Sequence, residues 1–511
     1  MKTPSTLIVL LAFLASAPTA FPAGENAPPR VISMRECVEA ALRGNIDIAV
    51  SRTERDIAAF GVPVEKAAFL PKFTGDLGAS RSLSPSGSVL NGSLSLDQRM
   101  LTFNLGIQDL LPAGTALSLA FENQRQETGS AIALFSPQYS TALTLSARQP
   151  LLKNRGRQVT EAPLAVARAG EAVKTGEWKE KVMDVVAAAR SAFLSFSAAH
   201  GETEVKRTAL DLAERLLAEI RARIESGFAA PMERLAADAA AAARREELIR
   251  AEAQEQNALD NLKAVLGVRT PREWEERLLP APLPGAVEPP GERDSFEEAL
   301  RLRPEVSSLA ARRQQAEIQE AAARNRTLPS LDLTVSAGLS GLAGSPNPNP
   351  LFPVSSTEFA GGYGDGIDQM FSGRYYNWFV GLKTELPWRF DREKAELARA
   401  RAGLEEQRLL SEGLALRILA EVRKGRRDLE SALERIAASR ASSAAAAIKL
   451  EAEEQKLALG ASTAVEVLRF QQDRSEALLA EIRAQTDAHL AQTRLWRAVG
   501  TLLEKEGIVI R

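Results

Sequence analysis

The sequence of 511 residues holds two histidines and a single cysteine. That leaves nothing for a disulfide framework, a Cys/His zinc site or a histidine-centred catalytic device. Aromatic residues are scarce at 5%, and beyond the N-terminus no stretch approaches 18 uninterrupted apolar positions, so no transmembrane helix is expected in the body of the chain. Neither charge sign dominates: 64 Lys and Arg face 66 Asp and Glu, which excludes the basic field of a nucleic-acid binder. Phosphate-cradling loops and nucleophile elbows are also missing from the sequence. Carboxylates are plentiful, but on long helices every charged face pairs them, so their spacing carries no catalytic information. No enzymatic activity, cofactor or metal is expected.

What the sequence has is a leader and long helices. Lys2 precedes the apolar run Leu7 to Ala15, after which small residues and prolines follow. This is the order of a secretory signal, placed at 1–23 with the cut left open between Ala17, Ala20 and Ala23. The run is much shorter than the roughly 20 residues a spanning helix needs. Cys37 has no small or apolar residues leading into it, as a lipid-attachment cysteine would, and reads as a small buried helix residue. If this exported chain crosses a membrane, strands must do it.

The chain repeats itself. Cys37 to Arg43 lies over Ser295 to Arg301, and the same offset puts Phe69-Leu70-Pro71 over Thr327-Leu328-Pro329. A slightly smaller offset puts Leu164 to Gly170 over Leu397 to Gly403, Gly227 over Gly460, Glu233 over Glu466, and Ala264 to Gly267 over Arg497 to Gly500. The repeats are placed at 33–267 and 295–500, joined by a Pro-rich, extended connection at 268–294 and followed by a tail at 501–511.

Within each repeat the hydrophobic period changes twice. Ser33 and Glu36 form a capping box that opens a helix to about Ala68, with Gly61 and Pro63 as kink points. After Pro71 the period becomes two: Phe73, Leu77 and Ala79 alternate with Thr74, Asp76 and Ser80, and Leu331, Leu333 and Val335 alternate with Asp332, Thr334 and Ser336. Returning strands run through Tyr139 to Leu145 and Tyr376 to Leu386. Helices of about 100 Å are then expected over 163–226 and 394–459. Val182, Val185, Ala189, Phe193 and Phe196, then Leu210, Ala213, Leu217, Ile220 and Ile224, mark a coiled-coil seam. Turns at Gly227 and Gly460 lead into shorter helices ending at the C-cap glycines Gly267 and Gly500. An added hairpin around Pro112-Ala113-Gly114 falls in 84–137, its place relative to the other strands open, and 341–373 reads as an extracellular loop.

With Leu70-Pro71, Gln149-Pro150-Leu151-Leu152, Leu328-Pro329, Leu386-Pro387 and the Gly460 turn before Val465-Glu466-Val467-Leu468, the mature chain resembles the TolC-like outer-membrane efflux channel family. The resemblance implies a mainly α fold with a β-barrel portion. Long antiparallel coiled-coil helices form an α-barrel in the periplasm of a Gram-negative-type bacterium, below a trimeric 12-stranded transmembrane β-barrel to which each chain gives four strands. Four strands cannot close a barrel alone, which agrees with a homotrimer. Pro71, Pro150, Pro329 and Pro387 suit strand–helix junctions, because proline lacks the N–H that a ladder or a helix interior would use.

The same resemblance implies the partners: outer-membrane lipid, a periplasmic adaptor and, through it, an inner-membrane pump of an efflux or type I secretion system. It makes Gly227, Phe228, Ala229, Gly460, Ala461 and Ser462 the adaptor-contact turns. An acidic pair rings the closed pore in family members. Here its first position is Glu466 and its second is Arg469, so the gate would be a neutral pair rather than an acid ring, with Glu233 the first-repeat counterpart. The competing reading is a soluble periplasmic scaffold or adaptor whose strands form a small sandwich.

Overall fold

The structure, a computed structural model, describes residues 30–226, 231–285, 291–348, 350–352 and 358–508. In order it contains β1 (Arg30–Ile32), α1 (Met34–Gly44), α2 (Ile46–Lys66), β2 (Lys72–Pro85), β3 (Ser95–Leu110), β4 (Ala116–Thr128), β5 (Phe135–Pro150), α3 (Arg157–Thr160), α4 (Ala162–Glu225) and α5 (Pro231–Leu266). There follow α6 (Pro271–Glu275), β6 (Leu278–Pro280), α7 (Glu292–Leu302), α8 (Pro304–Arg326), β7 (Ser330–Pro346), α9 (Tyr363–Phe371), β8 (Tyr376–Glu385), α10 (Asp391–Ala458), α11 (Ala464–Val499) and α12 (Leu502–Lys505). They assemble into two units, each drawn from three separate parts of the sequence.

The first unit comprises Met1–Gly44, Ala189–Gly285 and Ile436–Thr486. Leu216 and Ile220 of α4, Ala237 of α5, Leu450 and Leu457 of α10 and Ala464 and Val467 of α11 form one buried cluster. Polar pairs flank the packed helices: His200 Nδ1 lies 2.8 Å from Glu255 Oε1, and Lys206 pairs with Glu247 at 2.9 Å. The Ser33–Glu36 capping box is present, with Ser33 N donating to Glu36 Oε2 at 2.9 Å and Glu36 N to Ser33 Oγ at 3.3 Å. Cys37 is fully buried, and burial pushes its thiol up to about 12, which leaves no reactive thiolate.

The connection between the repeats is not simply extended. Thr270 caps α6, and β6 pairs in parallel with β1. The buried Lys263 donates to the carbonyls of Trp274 and Glu276, which ties this segment to α5.

The second unit comprises Asn45–Ala188, Ala286–Arg435 and Asp487–Arg511. Its six-stranded antiparallel sheet has the order β2-β3-β4-β5-β7-β8. The resemblance implies four strands per chain in the barrel sheet; among the described residues this sheet has six. The added hairpin is longer than its central residues suggest, and as β3 and β4 it enters the same sheet between β2 and β5. Residues 341–346 continue β7, and α9 lies against the sheet: Thr141 Oγ1 donates to Gly366 O at 3.1 Å and Tyr363 OH to Asn123 Oδ1 at 2.8 Å.

The first helix of each repeat is broken at matching positions. Asn45 (φ −67°, ψ 128°) separates α1 from α2, and Arg303 (φ −69°, ψ 126°) separates α7 from α8. Pro304 forces the second break, since a residue before proline avoids the helical region. At the first, Asn45 caps the new helix through Asp47 N.

Along α4 the seam residues Val182, Val185, Ala189, Phe193, Phe196, Ala213 and Ile220 are buried, while Leu210, Leu217 and Ile224 are half-buried. A window within α4 averages apolar enough to cross a membrane without being an uninterrupted apolar run, and 56% of it is buried.

Candidate functional site

The sheet has two unlike faces. Leu105 of β3 sits opposite Phe121 of β4, which faces Leu143 of β5, which faces Leu339 of β7, which faces Tyr376 of β8. Residues paired in this way share a face, so one apolar row crosses five strands. Rows on either side continue it with Ile107, Leu119, Leu145, Ala337 and Trp378, and with Leu77 and Phe103. The opposite face carries Thr74, Asp76, Thr102, Asn104, Ser146 and Ser336.

Exposure runs against the rule for a soluble sheet. On β3, which is paired on both sides, Leu101, Phe103, Leu105 and Ile107 are 45%, 44%, 47% and 38% exposed, whereas Thr102, Asn104 and Gly106 between them are half-buried. A sheet with its apolar side chains outward and its polar ones inward fits hydrocarbon outside and water within. The apolar face ends in charge at the end of the sheet away from the helix junctions. There Arg81 of β2 donates to Asp97 of β3 at 2.9 and 2.8 Å, while Arg99 lies 3.6 Å from Asp97 along β3 and Arg125 pairs with Glu127 along β4. Sequence reasoning did not single out these charged residues. The alternation from Asp97 to Asp109 was their only signal.

The four prolines lie at the other end. Pro71 immediately precedes β2, Pro150 is the last residue of β5, Pro329 immediately precedes β7, and Pro387 falls between β8 and α10. The Pro150 and Pro329 junctions converge: Leu151 N donates to Leu331 O at 2.7 Å and Lys153 N to Pro329 O at 3.3 Å, while Arg148 Nε donates to the buried Asp332 at 3.1 Å.

At the turns, Gly227, Phe228 and Ala229 lie outside the described residues. The second turn is complete. Gly460 (φ +75°) donates to Leu457 O at 3.0 Å and Ala461 N to Lys456 O at 2.9 Å, a Schellman motif that ends α10. Ser462 donates its hydroxyl to Glu453, and Lys456 lies 2.9 Å from the same carboxylate. The Ser462 hydrogen bond, then Lys456, hold Glu453 below the ordinary glutamate range. No sequence spacing pointed to Glu453, which reaches the turn from the preceding helix.

Glu466, in the first turn of α11, pairs with Arg469 at 2.9 Å, and the Arg469 guanidinium lies 5.0 Å from the Phe470 ring centre. Both charged side chains face outward, at 42% and 61% exposure, while Ala464 and Val467 of the same turn are buried in the helical core. Glu233 occupies the matching first turn of α5 and is half-buried. Among the described residues, no group of three or more His, Cys, Asp or Glu is arranged to hold a metal ion.

Solved structures share this fold. The outer-membrane channel OprN aligns with a TM-score of 0.66 at 16% identity, over 92% of this chain and 90% of its own. The CmeC outer membrane channel of Campylobacter jejuni aligns at 0.65 and 15%, over 92% and 86%. The MtrE outer membrane channel of Neisseria gonorrhoeae, in an open state, aligns at 0.64 and 16%, over 92% and 89%. No curated protein sequence matches. The family model for outer membrane efflux proteins matches residues 37–268 and 296–501, most of the chain. The chain therefore belongs to the outer membrane efflux protein family and is an outer-membrane efflux channel.

Proposed function

We propose that three copies of this chain join through their sheets into one outer-membrane barrel and through their helices into a periplasmic tunnel. A periplasmic adaptor docks this tunnel on an inner-membrane pump, and small molecules or polypeptides pass through it. The observation that carries the reading is β3, where four apolar side chains point outward and the polar ones between them inward. Hydrocarbon cannot satisfy the free N–H and C=O groups of the outermost strands β2 and β8, so a lone copy is incomplete in a membrane. Neighbouring copies supply the missing ladder.

In this reading Glu466 and Arg469 line the gate. Paired with each other, they remove the net charge that a ring of acids alone would place at the aperture. Adaptor contact falls on Gly227, Phe228 and Ala229 and on Gly460, Ala461 and Ser462. Binding there opens the aperture by selecting a different packing of the helices.

Planar-bilayer recording of protein extracted from outer membranes tests this. Arg469→Glu should raise conductance and shift the reversal potential toward cations, since it puts two carboxylates in each of the three copies where a neutral pair stood. A stable monomer that forms no channel, even with the charge at Glu466 reversed, would contradict the proposal.

A further inference from the structure

We infer that the shared barrel has eighteen strands, six from each chain, and a porin-sized bore. This rests on the three-copy reading above and fixes what the three copies build. The argument begins with β3 and β4, the strands that the resemblance does not provide. They are wall, not decoration. β3 follows β2 along its whole length, from Lys72 opposite Gln108 to Pro85 opposite Ser95. β4 follows β5 from Ala116 opposite Arg148 to Gln126 opposite Gln138. Where the β3–β4 ladder lapses at Phe103 and Asn104, the Asn123 side chain bridges it, donating to Phe103 O at 2.9 Å, while Asn123 N donates to Asn104 Oδ1 at 3.0 Å.

The turn between β3 and β4 is fixed beside the chain's exit from the sheet. Gly156 N donates to Ala113 O at 3.2 Å, and the hydroxyls of Ser118 and Ser146 lie 2.6 Å apart across β4 and β5. The apolar row through Leu105, Phe121 and Leu143 continues without a break into Leu339 and Tyr376. A hairpin folded into the lumen or over the rim would interrupt that row.

Strand parity then decides how copies meet. β2 leaves the junction after Pro71, and β8 returns to the junction before Pro387, with neighbours antiparallel throughout. Six is even, so the two outermost strands run in opposite directions. β8 of one copy can therefore extend β2 of the next as an ordinary antiparallel ladder, head to tail, and this contact closes on itself in a ring. The occupant of each exposed edge is a second copy of this chain. Barrel diameter grows roughly linearly with strand number, so eighteen strands give a bore about 1.5-fold wider than twelve, in the range where porins keep an aqueous channel.

Electron cryomicroscopy of the trimer in lipid nanodiscs reads the strand count from a section through the barrel. In a Cys37→Ala background, cysteine at Thr74 of β2 combined with cysteine at Phe379, Gly381 or Lys383 of β8 reads the contact. The expected results are eighteen strands and disulfide-linked dimers and trimers on a non-reducing gel for at least one combination. A trimer with twelve strands, or a trimer in which no β2–β8 combination cross-links, overturns this inference and leaves the three-copy channel standing. A particle with no oligomer overturns both.

Discussion

Gly460 and Gly500 share a left-handed conformation, φ +75° and +86°, but not their surroundings. A Cβ on Gly460 would meet open space, whereas one on Gly500 would come within 3.2 Å of Arg303 N and of the Leu302 carbonyl carbon. Gly460→Ala should therefore cost only the conformational penalty, about 1 kcal/mol, while Gly500→Ala adds a clash of about 1–3 kcal/mol. Thermal melting of the two variants side by side checks the order; equal losses would contradict it.

The same region holds two glutamates of opposite behaviour. Burial, aided by the charges of Glu305 and Asp184, raises the Glu180 carboxyl above its ordinary range despite Arg497 and Arg303. Burial also acts on Glu305, but the hydrogen bonds from Arg303 outweigh it and hold that carboxyl low. Glu180 thus contributes stability below the unfolded glutamate pKa that is lost as pH rises through its raised folded value. Glu305 contributes stability above the unfolded pKa that is lost as pH falls through its depressed one. Glu180→Gln should raise the melting temperature near pH 7 and change little near pH 4; Glu305→Gln should lower it near pH 7, with the loss shrinking in acid. Melting curves across that range would expose a wrong sign.

Among the elements, the strands divide the consequences of a substitution by parity. Leu105→Arg places a charge in the middle of the apolar row and should cost about 2–4 kcal/mol of folding free energy in lipid. Thr102→Arg, on the polar face of the same strand, should leave stability nearly unchanged and alter ion selectivity instead. Urea unfolding in liposomes, paired with single-channel recording, separates the two outcomes. The element pattern also shows what a sequence can carry. The capping box at Ser33 and the seam from Val182 to Phe196 depend on neighbours within a few turns, and both were legible. The break at Asn45 was not, because no proline follows it as Pro304 follows Arg303. Nor was the placement of β3 and β4, since strand pairing joins residues such as Gln108 and Lys72 that no local period relates.

At the scale of the whole molecule, the expectation of a duplicated plan rests on the turn glycines Gly227 and Gly460 and on Pro71 and Pro329, which keep register between the two halves of the sequence. The contribution of Glu453 to the Gly460 turn was invisible, as its carboxylate meets Ser462, nine residues on, only once the chain has turned out of α10. The account as a whole requires the apolar face of the sheet to meet lipid and the polar face to meet water. Nitroxide labels placed one at a time at positions 101–107 of β3, in a Cys37→Ala background and in liposomes, measure this directly. Collisions with oxygen should peak at 101, 103, 105 and 107, and collisions with a water-soluble nickel chelate at 102, 104 and 106. Uniform access to nickel along the strand would show a sheet in water on both faces and contradict the account.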